Sequence, residues 1–329
     1  MASQHAAVGW EPPDLRRWLQ LGLAAIWLLD GVLQYQSAMF GRSFGQMLAQ
    51  SASGNPAVIA DPITWTAAIV ERNPMATNAA FAAIQVALGL GIAWRRSVKF
   101  ALAASVAWAV AVWWLGEGLG GVLAGTASPL NGAPGAVILY ALLAVLLWPA
   151  GDDRPAPFVA ARPLGPAAAR AAWLVLWGSL AYFAVQSANR TAQGMHDAIA
   201  SMAAGEPGWL AAVDREAASL LAHRGLAASV VLAVILAAIA AGVFLPGRAV
   251  RVTVVAAVVV SALLWVVGQD LGAILGGGAT DVDSGPLLAL TAIAYWPLRP
   301  ARDRPGQPGA ETGEPAGRLV GAAQRGLGG

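Results

Sequence analysis

The chain has no cysteine and little charge. Of its 329 residues only 12% are Asp, Glu, Lys or Arg, about half the share in a soluble domain. Without cysteine there are no disulfides, no thiolate metal sites and no dithiol redox chemistry. Histidine is scarce as well. His5, His196 and His223 all lie outside the long apolar runs, so a bis-histidine haem within a membrane has no ligands. Lysine occurs once, at Lys99, among twenty basic residues. With the abundance of Ala, Gly and Arg, this is the composition of a high-GC bacterial genome. No Walker loop, dinucleotide fingerprint or nucleophile elbow occurs. Gly89-Leu90-Gly91 sits inside an apolar run and reads as a packing feature. Nothing points to a nucleic-acid partner.

What the chain has is apolar length. Apolar residues make up 57% of it, and several stretches approach or exceed the ~18–20 residues that cross a bilayer. The start, MASQHAAVGWEPPDLRRW, is polar and contains Pro12-Pro13. The apolar stretch after Arg16-Arg17 has no small-residue cleavage site, so it reads as a retained first helix.

The sequence is also written twice. Trp27–Phe40 (WLLDGVLQYQSAMF) returns as Trp177–Arg190 (WGSLAYFAVQSANR), and GNPAVI at Gly54–Ile59 as GEPGWL at Gly205–Leu210. RRSVKF at Arg95–Phe100 returns as GRAVRV at Gly247–Val252, and WLGEGLGGVLAG at Trp114–Gly125 as VVGQDLGAILGG at Val266–Gly277. A near-constant offset over a half-chain indicates tandem duplication. The expected fold is all-α: a polytopic membrane protein with eight transmembrane helices in two parallel four-helix repeats. In the first copy the helices a to d are Trp18–Phe40, Pro74–Trp94, Val98–Leu119 and Gly135–Trp148. In the second they are Ala168–Ser187, Gly225–Leu245, Ala249–Leu271 and Gly285–Trp296. The expected organisation is an N-terminal segment 1–16, repeats 17–149 and 168–298, a linker 150–167 and a disordered tail 299–329. The Pro/Gly-rich linker is expected to be poorly ordered.

Four spans per copy put both termini and the linker on one side. That side holds fifteen of the twenty basic residues. The other side has Arg42, Arg72, Arg190, Arg215 and Arg224. The positive-inside rule makes the termini cytoplasmic and the location a bacterial plasma membrane, with the lipid bilayer as the first partner.

The four-helix unit has a long a–b connection, a short basic b–c turn and a Gly-rich c–d turn. With LDGVLQYQSAMF in helix a and FAAIQVALGLGIAWRRSVKFAL across the b–c turn, it resembles the DoxX-like membrane proteins. That resemblance implies a redox-associated subunit delivering electrons to quinone beside membrane partner subunits. The missing cysteines set this chain apart from the thiol-linked branch of the wider group. No catalytic residue carries over.

Ionisable groups within spans are costly, about 2.5–3.5 kcal/mol for Asp near a helix centre, and are functional suspects. Three qualify: Asp30, Glu117 and Asp270. At ~1.5 Å per residue, Asp30 stands roughly 20 Å from the inner surface and the other two roughly 27–29 Å. Glu117 and Asp270 fall within one residue of each other in the repeat alignment. Glycines surround both, and Pro129, Pro134 and Pro286 stop a helix from running through. Two outward half-helical turns, each presenting an acid, are expected. Glycine packing and an acid simply reaching water are the competing explanations.

Gln36 and Gln186 correspond and either line the same cavity or hydrogen-bond the repeats together. Asn78 and Gln85 share one face of helix b, while their counterparts Val230 and Ala237 are apolar. Trp113 and Trp114 beside Glu117 could wall a quinone or another lipid-like ligand. Most other tryptophans suit an aromatic belt. Asp281-Val-Asp283-Ser-Gly285 resembles the start of a calcium loop but lacks the closing Glu. His196, His223, Asp197, Glu206, Asp214 and Glu216 match no metal spacing and read as a solvated loop face.

Three functions remain open. The first is an outward-facing polar pocket between the repeats, binding or conducting a small polar or cationic solute or protons. It would be built on Glu117, Asp270, Asp30, Gln36, Gln186, Trp113 and Trp114, with no cofactor. The second is the quinone-associated subunit implied by the resemblance, needing a redox centre from a partner. The third is a scaffold subunit. None makes the chain an enzyme in its own right.

Overall fold

A computed structural model describes residues 14–150 and 156–298, all belonging to one unit that ends at Leu298. The expected N-terminal segment before Asp14, the linker start with Arg154 and the tail from Arg299 lie outside the described residues. Among the described residues the chain is all-helical, with no strand.

The first half opens with α1 (Leu15–Leu33), capped by the Asp14 carboxylate, which accepts from the Arg17 amide at 2.9 Å. The a–b connection, expected as polar to amphipathic, folds into α2 (Arg42–Gln50) and α3 (Ala57–Arg72). Next come α4 (Pro74–Ala93), α5 (Val98–Leu115) and α6 (Ala136–Leu146). Pro74 occupies the first turn of α4, where its missing N–H costs nothing. After a short α7 (Ala161–Leu164), the second half runs α8 (Pro166–Ala184), α9 (Ser187–Arg190), α10 (Gly194–Met202) and α11 (Gly208–Leu221). It closes with α12 (Gly225–Gly242), α13 (Arg248–Leu263) and α14 (Ser284–Ile293).

Each half packs alike. α1 lies along α4 and α5 against α6; α8 lies along α12 and α13 against α14. The halves meet where α14 touches α6 and α1. Small residues set the spacing of α1 and α4. A Cβ on Gly89 would come within 2.9 Å of the Ala24 carbonyl, and one on Gly31 within 3.2 Å of the Val86 amide. Such backbone approach is how helices associate where apolar surroundings give no hydrophobic drive. One core runs through both halves, with Trp27, Tyr140, Trp173, Trp177 and Tyr295 enclosed. Trp27 donates to Ser105 Oγ at 3.1 Å, Trp173 to the Ile239 carbonyl at 2.9 Å, and Tyr295 to the Ala169 carbonyl at 2.6 Å, whereas Trp177 Nε1 has no partner among the described residues.

Among the described residues, five helices are long and apolar enough to cross a membrane: α4, α5, α8, α12 and α13 with its following turn to Gly268. Only 28–39% of each span is buried inside the protein, so most of their apolar surface needs an apolar surround. Phe100, Val175 and Val252 all point outward. These helices are compatible with a membrane-embedded protein. α6 and α14 have 11 and 10 residues; at ~1.5 Å per residue they fall well short of a ~30 Å core. Among the described residues, length and composition therefore give five candidate spans where eight were expected.

Two expectations are corrected. Helix c stops at Leu115, not Leu119, and its second-half counterpart leaves α-geometry after Leu263, not Leu271. Glu117 and Asp270 thus stand in the turns beyond these helices. The linker is also not loose throughout. Phe158, Val159 and Ala160 are buried, and Ala160 N donates to the Ala294 carbonyl at 3.0 Å. With Ala161, also buried, the linker's Pro/Gly content concealed four core residues.

Candidate functional site: two adjoining cavities

Glycine builds the turns after α5 and α13. In the first, Leu119 and Gly120 are left-handed, with φ of 56° and 63°. In the second, Leu271 and Gly272 are left-handed, with φ of 56° and 74°. A side chain on Gly120 would run into the Pro134 carbonyl. The turns are stitched alike to the loops they face. Trp113 Nε1 donates to the Pro134 carbonyl at 2.7 Å, and Trp265 Nε1 to the Val282 carbonyl at 2.8 Å. Glu117 accepts from the Val137 amide at 3.1 Å, and Gln269 from the Gly285 amide at 3.0 Å. Gln269 therefore holds the place of Glu117 in the second half, and Asp270 follows it by one residue.

That one residue changes what Asp270 meets. Its carboxyl turns to Asp214 on α11. Both residues are enclosed, and among the described residues no N–H or hydroxyl group serves Asp214 Oδ1, Asp214 Oδ2 or Asp270 Oδ1. Burial, then the neighbouring Asp214 and Glu206, push Asp270 up to about 7. Burial also raises Asp214. Two carboxyls in contact cannot both ionise freely, so the pair shares a proton or holds a cation.

Asp270 lines a cavity of about 530 Å³ between residues of the two halves. Glu117, Asp281 and Asp283 also line it, and no Lys, Arg or His does among the described residues. Burial, then Asp281, lift Glu117 well above the ordinary carboxyl range. Burial, then Asp281, push Asp283 up to about 7. Asp281 and Asp283 do not form a calcium loop. Asp281 accepts from the Asp283 amide at 2.7 Å and from the Thr280 hydroxyl at 3.0 Å, and Asp283 caps α14 through the Ser284 amide. Among the described residues no cluster of three or more His, Asp or Glu side chains is arranged to hold a metal ion.

A second cavity of about 350 Å³ lies mainly among residues of the first half, with Thr280 and Asp281 of the second half in its wall. Trp27, Phe44, Phe81, Trp108 and Tyr140 wall it, with Asp30, Gln34 and Gln85 set among them. Ser51, Glu117, Thr280 and Asp281 line both cavities, so they form a shared wall.

The candidates read from the sequence fall in different places. Glu117 and Asp270 line one cavity, and Glu117 and Asp30 the other. Gln36 Nε2 donates to the Ala279 carbonyl at 3.4 Å, tying α1 to the loop before α14. Gln36 and Gln186 line neither cavity, and nor do Trp113 and Trp114. Tyr140 and Gln269 were not anticipated, and Asp281 and Asp283 were singled out only as the start of a calcium loop. Tyr140, one of four tyrosines and alone in an apolar run, was the available signal. Asp214, expected on a solvated face, is fully enclosed. Comparison with family models, curated proteins and solved structures gives no match for the chain. The likeness to DoxX-like proteins therefore stands on its quoted stretches alone.

Proposed function

We propose that this is a bacterial plasma-membrane protein of two parallel four-helix repeats with cytoplasmic ends. The cavity between the repeats opens outward and binds a small polar or cationic solute, or protons. One observation carries the reading: the cavity gathers Glu117, Asp270, Asp281 and Asp283 from both halves, with no cationic side chain among the described residues of its lining. Glu117 Oε2 and Asp270 Oδ1 are buried and unpartnered. An uncompensated buried carboxylate is costly, so each takes a proton or attracts a cation. The matching contacts of Glu117 and Gln269, and of Trp113 and Trp265, support the duplication. Five helices of membrane length support the location.

The test is calorimetric titration of the detergent-purified chain with methylammonium at pH 8, where the acids are more fully ionised. Saturable binding is expected, weakened at least tenfold by Glu117→Gln and by Asp270→Asn. Absence of binding, or unchanged affinity in both variants, would reject the reading.

A further inference from the structure

The inner chamber is chemically one-sided. Its walls are aromatic, and the buried polar atoms left without a partner are acceptors. Asp30 Oδ1, Gln34 Oε1, Gln85 Oε1 and Glu117 Oε2 are each buried and unpaired among the described residues. Asp30, Gln34 and Gln85 are 1%, 3% and 9% exposed, so water does not freely serve them. Most neighbouring donors are already committed, leaving Gln85 Nε2 and Trp108 Nε1 without a bond among the described residues. Tyr140 OH donates to Asp30 Oδ2, Gln34 Nε2 to the Thr280 carbonyl at 3.3 Å, and Trp27 Nε1 to Ser105. Ser51 Oγ donates to the Gly116 carbonyl at 2.6 Å, and Thr66 Oγ1 to the Pro62 carbonyl at 2.9 Å. No Lys, Arg or His lines the space among the described residues.

We propose that this chamber binds a protonated primary amine with an aromatic or aliphatic body, its ammonium group held by Asp30, Gln85 and Glu117. An ammonium supplies donors for three of the four orphaned acceptors and a positive charge beside Asp30. Trp27, Tyr140 and Trp108 surround the body, and their faces favour a cation near them. The volume, about 350 Å³, matches the small end of ligand sites, at roughly 300 Å³ and above. A quinone is the poorer match, because its carbonyls would face four unpaired acceptors, two of them carboxyl oxygens. The second half has no such chamber chemistry: Leu180 stands in the place of Asp30 and Ala237 in that of Gln85.

The proposal rests on the membrane reading above but not on the outer cavity binding a solute. Its test is titration of the purified full-length chain with 2-phenylethylamine, 2-phenylethanol and menadione, beside the methylammonium titration. The amine is expected to bind at least tenfold more tightly than the alcohol. Asp30→Asn, which keeps an acceptor for Tyr140, is expected to weaken the amine at least tenfold. Gln85→Leu is expected to weaken it severalfold, while Glu216→Gln on the exposed face of α11 leaves it unchanged. Amine binding without methylammonium binding would uphold the chamber and reject the outer site. Methylammonium binding alone would do the reverse. Equal binding of amine and alcohol, tighter binding of menadione, or indifference to Asp30→Asn would overturn the proposal.

Discussion

Asp270 shows how far one residue's surroundings depend on the backbone beneath it. Sequence alignment placed it beside Glu117, and both do line one cavity. But its backbone is left-handed, with φ of 47°, and its carboxyl meets Asp214 instead of a helix-terminal amide. Asp214 belongs to a connection whose polar composition hid a buried position. A carboxyl in an unfolded chain titrates near 4, whereas folded Asp270 titrates at about 7. Between those values the folded chain keeps a proton that the unfolded chain has lost. Stability therefore falls as pH rises from about 4 to about 7. Thermal denaturation at low ionic strength should show a lower Tm at pH 8 than at pH 5. Asp270→Asn should flatten that slope, and an unchanged slope would remove Asp270 as its source.

The elements were legible where hydrophobic length defines them. Helix b of each copy lies within three residues of its expected end, because a basic or Pro-containing turn bounds it. Helices c were read too long, since apolar residues continue past the point where glycine lets the backbone change hand. The clustered glycines and prolines did announce the turns themselves. The first of those turns depends on Gly120, which is left-handed and pressed against Pro134. Gly120→Ala should cost roughly 1–3 kcal/mol of stability. Gly89→Leu should cost about as much, by forcing α1 from α4. Both changes are measured as a fall in Tm. Asn78→Ala, by contrast, removes the bond its Nδ2 donates to the Gln34 carbonyl at 2.7 Å and should be milder, about 1 kcal/mol.

For the whole molecule, the sequence carried the helical class and the two acids, Glu117 and Asp270, that line one cavity. It did not carry the inner chamber, which arises from side chains far apart in the chain: Asp30, Phe81, Tyr140 and Asp281. The central claim is an outward-opening acidic cavity between the halves. Because the chain has no cysteine, one can be introduced without background. Ser53 is exposed and lines that cavity. The decisive measurement is the labelling rate of Ser53→Cys by a membrane-impermeant maleimide on intact cells, with and without methylammonium. The account predicts labelling from outside, slowed by methylammonium, with that protection lost in the Glu117→Gln/Asp270→Asn background. Labelling only after the membrane is permeabilised, or protection that survives loss of both acids, would contradict it.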